Sequence, residues 1–289
     1  MSKKVYLLVV ASTVTYLLFY FFYIITPFGN TLPGKKILII AHKGYTSQFN
    51  ENTLNSVMSA QENKFDGVDI DLRKTSDNEI VMYHDKTIDL NGGSTLLASK
   101  SYRELKDLPI HGDGTKINPD DYISRFEDII TLASTTIIAE LKTGGMEKLV
   151  IDIIKNHNKY ENVYISSFDP VSILLIKKYD PQIKTVLILT NKEYTSENIP
   201  QNNWVIKKIR TILSNEIYNR LVINLTKPDL LSIRYDVSSE FISTLIEKGY
   251  LVLLWSPNKE KTIASSIRLQ PYAIISDNPD LVRRLMSVK

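Results

Sequence analysis

Residues 65–72 read FDGVDIDL, a stretch in which apolar and acidic side chains alternate with a period of two. Such alternation predicts a β-strand over Gly67–Leu72 whose apolar residues pack on one face. Asp69 and Asp71 then lie side by side on the other face. Two carboxylates at that spacing repel each other unless protons or a cation intervene, and hard divalent cations prefer such oxygen ligands. A pair of solvated carboxylates on a half-exposed strand is the alternative from this segment alone.

Short apolar runs alternate with longer mixed segments from Lys36 onward, which is typical of βα units around a parallel sheet. The predicted strands are Ile37–Ala41, Gly67–Leu72, Ile80–His84, Thr136–Leu141, Val163–Ser167, Lys184–Leu189, Leu230–Arg234, Leu251–Trp255 and Ala273–Ser276. These nine candidates compete for the eight places of a barrel, so one must be a hairpin partner or an accessory strand. The Asp77-Asn78 turn indicates that this irregularity lies between the second and third candidates.

Helical periodicity fits between most of these strands. The predicted helices are Thr53–Asn63, Phe126–Ala133, Met146–Asn156, Val171–Lys178, Ser239–Lys248 with Gly249 as its C-cap, and a segment around Trp204–Tyr218. The stretch from Asp85 to Thr135 is longer than a crossover requires, so we predict an insertion over the barrel mouth.

Composition limits the class of protein and of site. The 289 residues include 43% hydrophobic and 23% charged residues, which is ordinary for a globular chain. The net charge of +3, from 35 basic and 32 acidic residues, gives no reason to expect a nucleic-acid partner. The chain has no cysteine, so disulfides and thiolate metal sites are excluded and any metal must be held by oxygen or imidazole.

Residues 5–28 carry no charged side chain and are long enough, as a helix, to span a bilayer. We predict an uncleaved transmembrane anchor, against the alternatives of a buried core helix or a cleaved signal peptide. Lys3 and Lys4 precede it and favour a cytoplasmic N-terminus with an external C-terminal domain at the cell membrane. The predicted organisation is a cytoplasmic tip (1–4), the anchor (5–28), a linker (29–35) and a catalytic domain (36–289).

Two of the four histidines stand at predicted strand ends on either side of the acidic pair. His42 follows the first predicted strand, where barrel enzymes place their chemistry, and His84 ends the third. Either histidine alone is more typical of a hydrogen-bonded bystander. Together, two imidazoles can divide the acid and base roles of phosphodiester cleavage.

Glu140 and Lys142 share one face of the strand that begins at Thr136. The carboxylate of Glu140 can complete a three-carboxylate metal site, and the ammonium of Lys142 can neutralise a phosphate oxygen. A structural salt bridge between the two is the alternative.

This ordered set of motifs resembles the glycerophosphodiester phosphodiesterase family over roughly Lys36–Leu285. The matching motifs are His42-Lys43-Gly44, Glu51-Asn52-Thr53, Asp69-Ile70-Asp71, His84-Asp85, Glu140-Leu141-Lys142, Ser167-Phe168, Trp255 and Ser276-Asp277-Asn278-Pro279-Asp280. The resemblance implies an α/β fold of the TIM (β/α)8 type and hydrolysis of glycerophosphodiesters to glycerol 3-phosphate and an alcohol. In that family the glycerol hydroxyl of the substrate is thought to attack phosphorus and give a cyclic phosphate.

The resemblance also implies a role for each matching residue. A divalent metal, Ca²⁺ or Mg²⁺, would be held by Asp69, Asp71 and Glu140, while His42 and His84 would be acid and base. The phosphate and glycerol would be bound by Lys43, Lys142 and Trp255, with support from Glu51 and Asn52. Trp255 at a strand end is equally typical of plain core.

Two departures from the family pattern keep the charge but change the geometry. Lys43 stands where arginine is usual, which replaces a planar fork by a point charge, and Asp69 stands where glutamate is usual. Two further hypotheses therefore stay open, namely a lysophospholipase D-like activity on lysolipids and a non-catalytic module that binds phosphoglycerol groups. The segment from Trp204 to Arg220 is expected to be a solvated barrel helix, with a membrane-surface helix as the alternative.

Overall fold

A computed structural model describes residues 12–15, 36–47, 49–90, 93–108, 121–190 and 215–287. Eleven strands are found in these ranges: β1 (Leu38–His42), β2 (Gly67–Lys74), β3 (Ile80–Met82), β4 (Thr87–Leu90), β5 (Gly93–Leu96), β6 (Thr136–Leu141), β7 (Val163–Ser167), β8 (Lys184–Leu189), β9 (Leu230–Arg234), β10 (Val252–Trp255) and β11 (Ala273–Ser276). Five of the nine predicted strands, those now labelled β6, β7, β8, β9 and β11, have the predicted bounds.

Eight of these strands form a closed parallel barrel. The sheet runs in the order β1-β11-β10-β9-β8-β7-β6-β2, and β1 also pairs with β2 to close it. The fold is therefore the predicted TIM barrel. Such a barrel gathers the carboxyl ends of all eight strands at one mouth, which is where its enzymes carry their active sites.

The third predicted strand, now β3, is the accessory one. It runs antiparallel to β2 with Leu72 opposite Met82, so the hairpin predicted at the Asp77-Asn78 turn is confirmed. Asn78 adopts a left-handed backbone (φ 66°), which asparagine tolerates better than most residues. This hairpin takes β3 back along β2 towards the mouth.

Besides the helical residues 12–15 and a 3-10 turn at Leu97–Ser99, nine α-helices occur in the described ranges: α1 (Leu54–Glu62), α2 (Tyr102–Leu105), α3 (Phe126–Leu132), α4 (Glu147–Asn156), α5 (Pro170–Tyr179), α6 (Asn215–Thr226), α7 (Ser239–Glu247), α8 (Glu260–Arg268) and α9 (Pro279–Ser287). The predicted helix around Trp204–Tyr218 lies mostly outside the described residues, and its described part continues to Thr226. Helices α8 and α9 were not predicted. Gly249 has the left-handed backbone (φ 83°) expected just after the end of α7.

Strand alternation separates an inner and an outer core. The outward residues pack under the helices in two clusters that include Val68, Ile70, Leu231 and Leu254. The inward residues form a smaller cluster that fills the barrel, namely Ile40, Ile138, Val186, Leu230, Leu253, Ala273 and Ile275. Because the side-chain period is two, the next inward position on each strand lies at the mouth. This alternation along each strand decides which polar side chains face the mouth.

The insertion after β3 has a small apolar core of its own. Strands β4 and β5 pair as an antiparallel hairpin, which was not predicted, and Val81, Ile88, Leu97, Leu105 and Ile123 pack together beneath it. The segment 109–120 lies outside the described residues. An insertion at this place was predicted, and its strands were missed because they are short and mostly exposed.

Most of the predicted anchor, residues 5–11 and 16–28, lies outside the described residues. The described residues 12–15 are helical. Within the described ranges, we find no helix with the length and apolar character that crossing a membrane requires.

Candidate active site

His42 stands at the carboxyl end of β1. It is held by Asp277, which follows the neighbouring strand β11. Its Nδ1 lies 2.5 Å from Asp277 Oδ1, and its Nε2 lies 3.8 Å from Asp69 Oδ2. Burial would raise the pKa of Asp277, but the hydrogen bond and the charge of His42 hold that pKa below its usual range. Asp277 is therefore an acceptor, so Nδ1 donates and Nε2 is the nitrogen left for chemistry.

The charge around His42 favours the imidazolium. Burial lowers the pKa of His42, but the hydrogen bond to Asp277 and the charges of Asp69, Asp277 and Asp71 outweigh burial and raise it above its ordinary value. A proton on Nε2 is thus stabilised where it faces the carboxylates.

His84 reaches the mouth by the return of β3. Strand β6 occupies one edge of β2 as far as Leu72, and β1 occupies the other edge only to Asp69. Strand β3 therefore pairs above the end of β1, and the Tyr83 N–H donates to the carbonyl of Asp71 (3.0 Å). Both histidines consequently approach the same edge of β2, His42 from below and His84 from above.

Two side chains hold His84 in place. The Arg73 guanidinium donates through Nε and Nη2 to the His84 carbonyl, at 2.9 and 2.6 Å. The imidazole Nδ1 lies 2.7 Å from Asp85 Oδ1, which leaves Nε2 available as in His42. Arg73 follows Asp69 and Asp71 on the inward face of β2, so the strand that carries the carboxylates also positions this histidine.

Asp69, Asp71 and Glu140 come together on neighbouring inward positions of β2 and β6. Asp71 and Glu140 are register partners, and all three side chains are buried. Lys142, 8% exposed, sits against two of them, with Nζ 3.3 Å from Asp71 Oδ1 and 3.0 Å from Glu140 Oε1. One ammonium thus faces a cluster of three carboxyl groups.

The pKa directions in this cluster follow from burial and from the position of Lys142. Burial, with the neighbouring carboxylates, raises the pKa of Asp69 to about 8 and also raises the pKa of Glu140. Burial acts likewise on Asp71, but the charges of Lys142, His84 and Lys43 and a hydrogen bond from Asn52 keep its pKa well below the usual range. Burial would lower the pKa of Lys142, and the two carboxylates raise it.

The donor set fits a hard divalent cation in its chemistry. Three carboxyl groups share one ammonium, and the raised pKa of Asp69 and of Glu140 indicates a shortage of positive charge that a cation would supply. As the side chains stand, no three His, Asp or Glu groups within the described residues are arranged to hold a metal ion. The ammonium of Lys142 contacts both Asp71 and Glu140.

The loop after β1 supports this cluster. Asn52 donates through Nδ2 to Asp71 Oδ2 and accepts the Asp71 N–H on Oδ1, both at 2.8 Å. Lys43 Nζ donates to both carboxylate oxygens of Glu51, at 2.9 and 3.0 Å. Lys43 and Asn52 both have left-handed backbones (φ 57° and 56°), and the Asn52 N–H donates to the Lys43 carbonyl. The predicted supporting pair is thus brought to the site.

Gly44 in this loop is required by its surroundings. Its φ is +86°, and a Cβ at this position would lie 2.2 Å from Ser56 Oγ in α1. Only glycine permits both this backbone and this approach, so the loop that carries Lys43 packs directly on α1.

The opposite half of the mouth carries an aromatic and cationic group. Trp255, at the end of β10, packs its ring edge-on against Phe168 with centroids 5.6 Å apart. The Arg234 guanidinium lies 5.9 Å from the Trp255 ring centroid. Within the described residues, the buried Trp255 Nε1 and Ser166 Oγ have no hydrogen-bond partner.

Every predicted site residue except Trp255 lies in the half of the mouth between β11 and β6. Trp255 stands across the barrel from Glu140, since β10 and β6 are four strands apart. Sequence reasoning missed Asp277, Arg73 and Arg234 as site residues. Asp277 was signalled by the final motif, and strand parity could have found Arg73 and Arg234.

Comparison with known proteins agrees with this geometry. Residues 42–281 match the sequence profile of the glycerophosphoryl diester phosphodiesterase family. The chain belongs to this family. The match begins at His42, the last residue of β1, and covers the other seven barrel strands, so the resemblance inferred from the motifs is confirmed.

Relatives of this phosphodiesterase family include proteins of similar length. The glycerophosphodiester phosphodiesterase of Caldanaerobacter subterraneus subsp. tengcongensis is 24% identical over 260 residues, which are 87% of this chain and 98% of the relative. The glycerophosphodiester phosphodiesterase of Thermotoga maritima has a TM-score of 0.66 at 22% identity, with 87% and 99% of the two chains covered. A phosphodiesterase of Oleispira antarctica, solved with the product sn-glycerol-3-phosphate, has a TM-score of 0.69 at 21% identity. The alignment covers 86% of this chain and 96% of the other. At these identities the structures support the barrel fold.

Proposed function

We propose that this phosphodiesterase hydrolyses glycerophosphodiesters to glycerol 3-phosphate and an alcohol, with His42 and His84 as the proton-transfer groups. The observation that carries the proposal is the shared arrangement of the two imidazoles at one edge of β2. Each binds a carboxylate through Nδ1 and leaves Nε2 available, as an imidazole that exchanges protons with a substrate requires.

The environments of the two imidazoles suggest how the roles divide. His42, whose pKa is raised by Asp277 and the site carboxylates against the effect of burial, holds a proton on Nε2 that it donates to the leaving alcohol oxygen. His84, whose side chain is 41% exposed, takes the proton from the attacking glycerol hydroxyl. The P–O bond to the alcohol breaks as the new P–O bond forms, which gives a cyclic phosphate. Water then opens the ring with the two roles reversed.

Asp69, Asp71 and Glu140 would hold a divalent cation, Ca²⁺ or Mg²⁺. When bound, the cation supplies positive charge to the oxygens on phosphorus. Lys142 lies against two of these carboxylates, and Lys43 adds a second ammonium held by Glu51. These two lysines offset the negative charge of the phosphodiester where it meets the acidic cluster.

We also propose a location for the enzyme from its sequence. Residues 5–28 anchor the chain in the cell membrane, with the barrel on the outer side. Tagging Lys289 and treating intact cells with a protease tests this topology, since the tag is removed only if the barrel is external.

Assay of the purified full-length chain on several diesters tests the proposed activity. With Ca²⁺ or Mg²⁺, sn-glycero-3-phosphocholine should yield sn-glycerol 3-phosphate and choline, and a chelator should abolish this turnover. Faster release of choline from lysophosphatidylcholine would instead favour a lysophospholipase D-like enzyme. Binding of glycerophosphocholine without turnover in any divalent cation would make the barrel a non-catalytic phosphoglycerol-binding module.

A further inference from the structure

Arg234 is an arginine at the mouth that the proposed chemistry does not use. On β9, Leu231 and Ile233 pack in the outer core, while Leu230 packs inside the barrel. Because successive side chains of a strand point to opposite faces, Arg234 points to the interior side, at the carboxyl end of β9. Its guanidinium lies over Trp255, which itself packs against the inner core, so the side chain is held at the mouth.

Arg234 lies on the strand opposite the one that carries Asp69 and Asp71. In the closed order of strands, β9 is four places from β2 in either direction, so Arg234 faces Asp69 and Asp71 across the mouth. The half of the mouth at β2 and β6 holds the acidic cluster with Lys142 and, in the proposed function, the scissile phosphodiester. The half at β9 and β10 offers a guanidinium and an indole N–H that has no acceptor within the described residues.

The present partner of Arg234 is one that an anionic ligand can replace. Arg234 Nε lies 3.1 Å from Asp236 Oδ1, in a turn closed by the Val237 N–H donating to the Arg234 carbonyl at 3.0 Å. The Asp236 side chain is 39% exposed, and ion pairs of such exposure contribute little. A phosphate can bind the planar guanidinium through two oxygens, which is the geometry that arginine favours.

We propose that Arg234 forms a second anion-binding position, which favours glycerophosphodiesters that carry an additional phosphate one glycerol unit from the scissile bond. A glycerol phosphate oligomer has this chemistry, whether it comes from a polymer or from a deacylated lipid. This inference rests on the proposed function, because it places the scissile phosphodiester between the histidines. The added phosphate then extends away from the carboxylates toward β9.

Two substrates that differ by one phosphate test the proposal: sn-glycero-3-phosphoglycerol and the same diester phosphorylated on its terminal glycerol. Both retain glycerol hydroxyls that can attack the shared phosphodiester. For the full-length enzyme, kcat/KM should be at least tenfold higher for the phosphorylated diester. Arg234→Gln should reduce this ratio to about one. Arg234→Lys should keep an intermediate ratio, because lysine retains the positive charge but lacks the planar guanidinium that binds two oxygens at once.

Arg220 provides a matched control on the outer surface. It also pairs with a carboxylate, Glu216 at 2.8 Å, lies over an aromatic ring, Phe241 at 5.3 Å, and has a similar side-chain exposure of 27% against 22% for Arg234. Arg220→Gln should leave the substrate ratio at the wild-type value. A ratio that falls equally in both variants would contradict the proposal.

Calorimetric titration of both diesters in chelator separates this inference from the proposed function. Without turnover, the wild type should bind the phosphorylated diester more tightly, and Arg234→Gln should remove that difference. Equal dissociation constants and equal kcat/KM values in the wild type would overturn the anion-binding position while leaving the phosphodiesterase activity intact. Absence of all turnover, with the binding difference present, would overturn the activity alone.

Discussion

His42 Nδ1 and Asp277 Oδ1 lie 2.5 Å apart, although 235 positions of sequence separate the two residues. The contact exists because β11 pairs with β1 to close the barrel, with Ala41 opposite Ser276. Asn258, in the loop after β10, fixes Asp277, since its side-chain amide donates to Asp277 Oδ2 and its Oδ1 accepts the Asp277 N–H. Barrel closure thus orients the histidine that the chemistry requires.

Replacing Asp277 by asparagine should reduce activity and change its pH dependence. The substitution removes the charge and hydrogen bond that raise the pKa of His42 against the effect of burial. In the wild type, the alkaline limb of kcat/KM should lie above the ordinary histidine value of about 6.5, because His42 must be protonated to act as the acid. In Asp277→Asn that limb should move to lower pH, and kcat/KM should fall by about 10²-fold or more.

Asp229→Asn is the control for this prediction. Asp229 binds Thr185 and Lys177 at the amino-terminal side of the barrel, far from the mouth. Its replacement should lower Tm without moving the pH profile. An unchanged alkaline limb in Asp277→Asn would show that Asp277 does not set the protonation of His42.

Arg73 should act on catalysis through the position of His84. Arg73→Met removes both hydrogen bonds to the His84 carbonyl, so kcat should fall about tenfold or more while KM changes little. Arg73→Lys can restore one of the two bonds and should recover part of kcat. If kcat stays at the wild-type value in Arg73→Met while Tm falls, Arg73 is only a structural residue.

Asp69 should make the enzyme less stable as the pH rises in the absence of a cation. Burial raises its folded pKa from 3.8 to about 8, so between these values the folded state keeps a proton that the unfolded chain has released. The unfolded state therefore binds fewer protons, and the free energy of unfolding falls as pH rises through that window. Asp69→Asn removes this contribution, so in chelator the Tm advantage of the variant over the wild type should grow from pH 5 to pH 8. A difference in Tm that is independent of pH would contradict this charge state.

The Lys142→Met variant tests whether the carboxylates accept a cation. The measurement is the free energy of unfolding, which does not depend on activity. Lys142→Met leaves Asp71 and Glu140 buried without their counter-charge, and in chelator this should cost about 3–5 kcal/mol of unfolding free energy. Millimolar Ca²⁺ or Mg²⁺ should restore much of that loss if the ion binds at the same carboxylates.

Lys184→Met is the matched control. Lys184 pairs with Glu161 at 2.8 Å at the start of β8, where its side chain is 30% exposed. This variant should lose no more than about 1 kcal/mol and should not respond to divalent cations. Equal destabilisation of Lys142→Met with and without the cation would argue against a metal site at Asp71 and Glu140.

The eight barrel strands could be predicted from sequence because each is a short apolar run bounded by polar turns. Periodicity also placed Asp69 and Asp71 together on the polar face of one strand, and Glu140 and Lys142 together on that of another. The hairpin β4–β5 was missed because its side chains are mostly exposed, so no apolar alternation marks it. The helices α8 and α9 lie after the last long predicted helix, and their short amphipathic pattern was overlooked.

Parts of the site depend on pairing that no local pattern encodes. Strand β3 runs back along β2, and the hydrogen bond from the Tyr83 N–H to the Asp71 carbonyl brings His84 to the site. From the sequence, His84 could be recognised only as a residue at the end of a strand. The contact of Asp277 with His42 requires closure of the whole barrel. The contact of Lys142 with Asp71 depends on the register of β2 with β6, whereas its ion pair with Glu140 was the alternative that strand alternation had left open.

The central claim, that His42 protonates the leaving group and His84 activates the nucleophile, is tested most directly by changing the leaving group. sn-Glycero-3-phosphocholine needs a proton on its departing oxygen, and the p-nitrophenyl ester of sn-glycerol 3-phosphate does not. His42→Ala should lose about 10²-fold or more in kcat/KM on the choline ester but less than tenfold on the p-nitrophenyl ester, whereas His84→Ala should lose activity equally on both. Equal losses on both esters in His42→Ala would contradict the account.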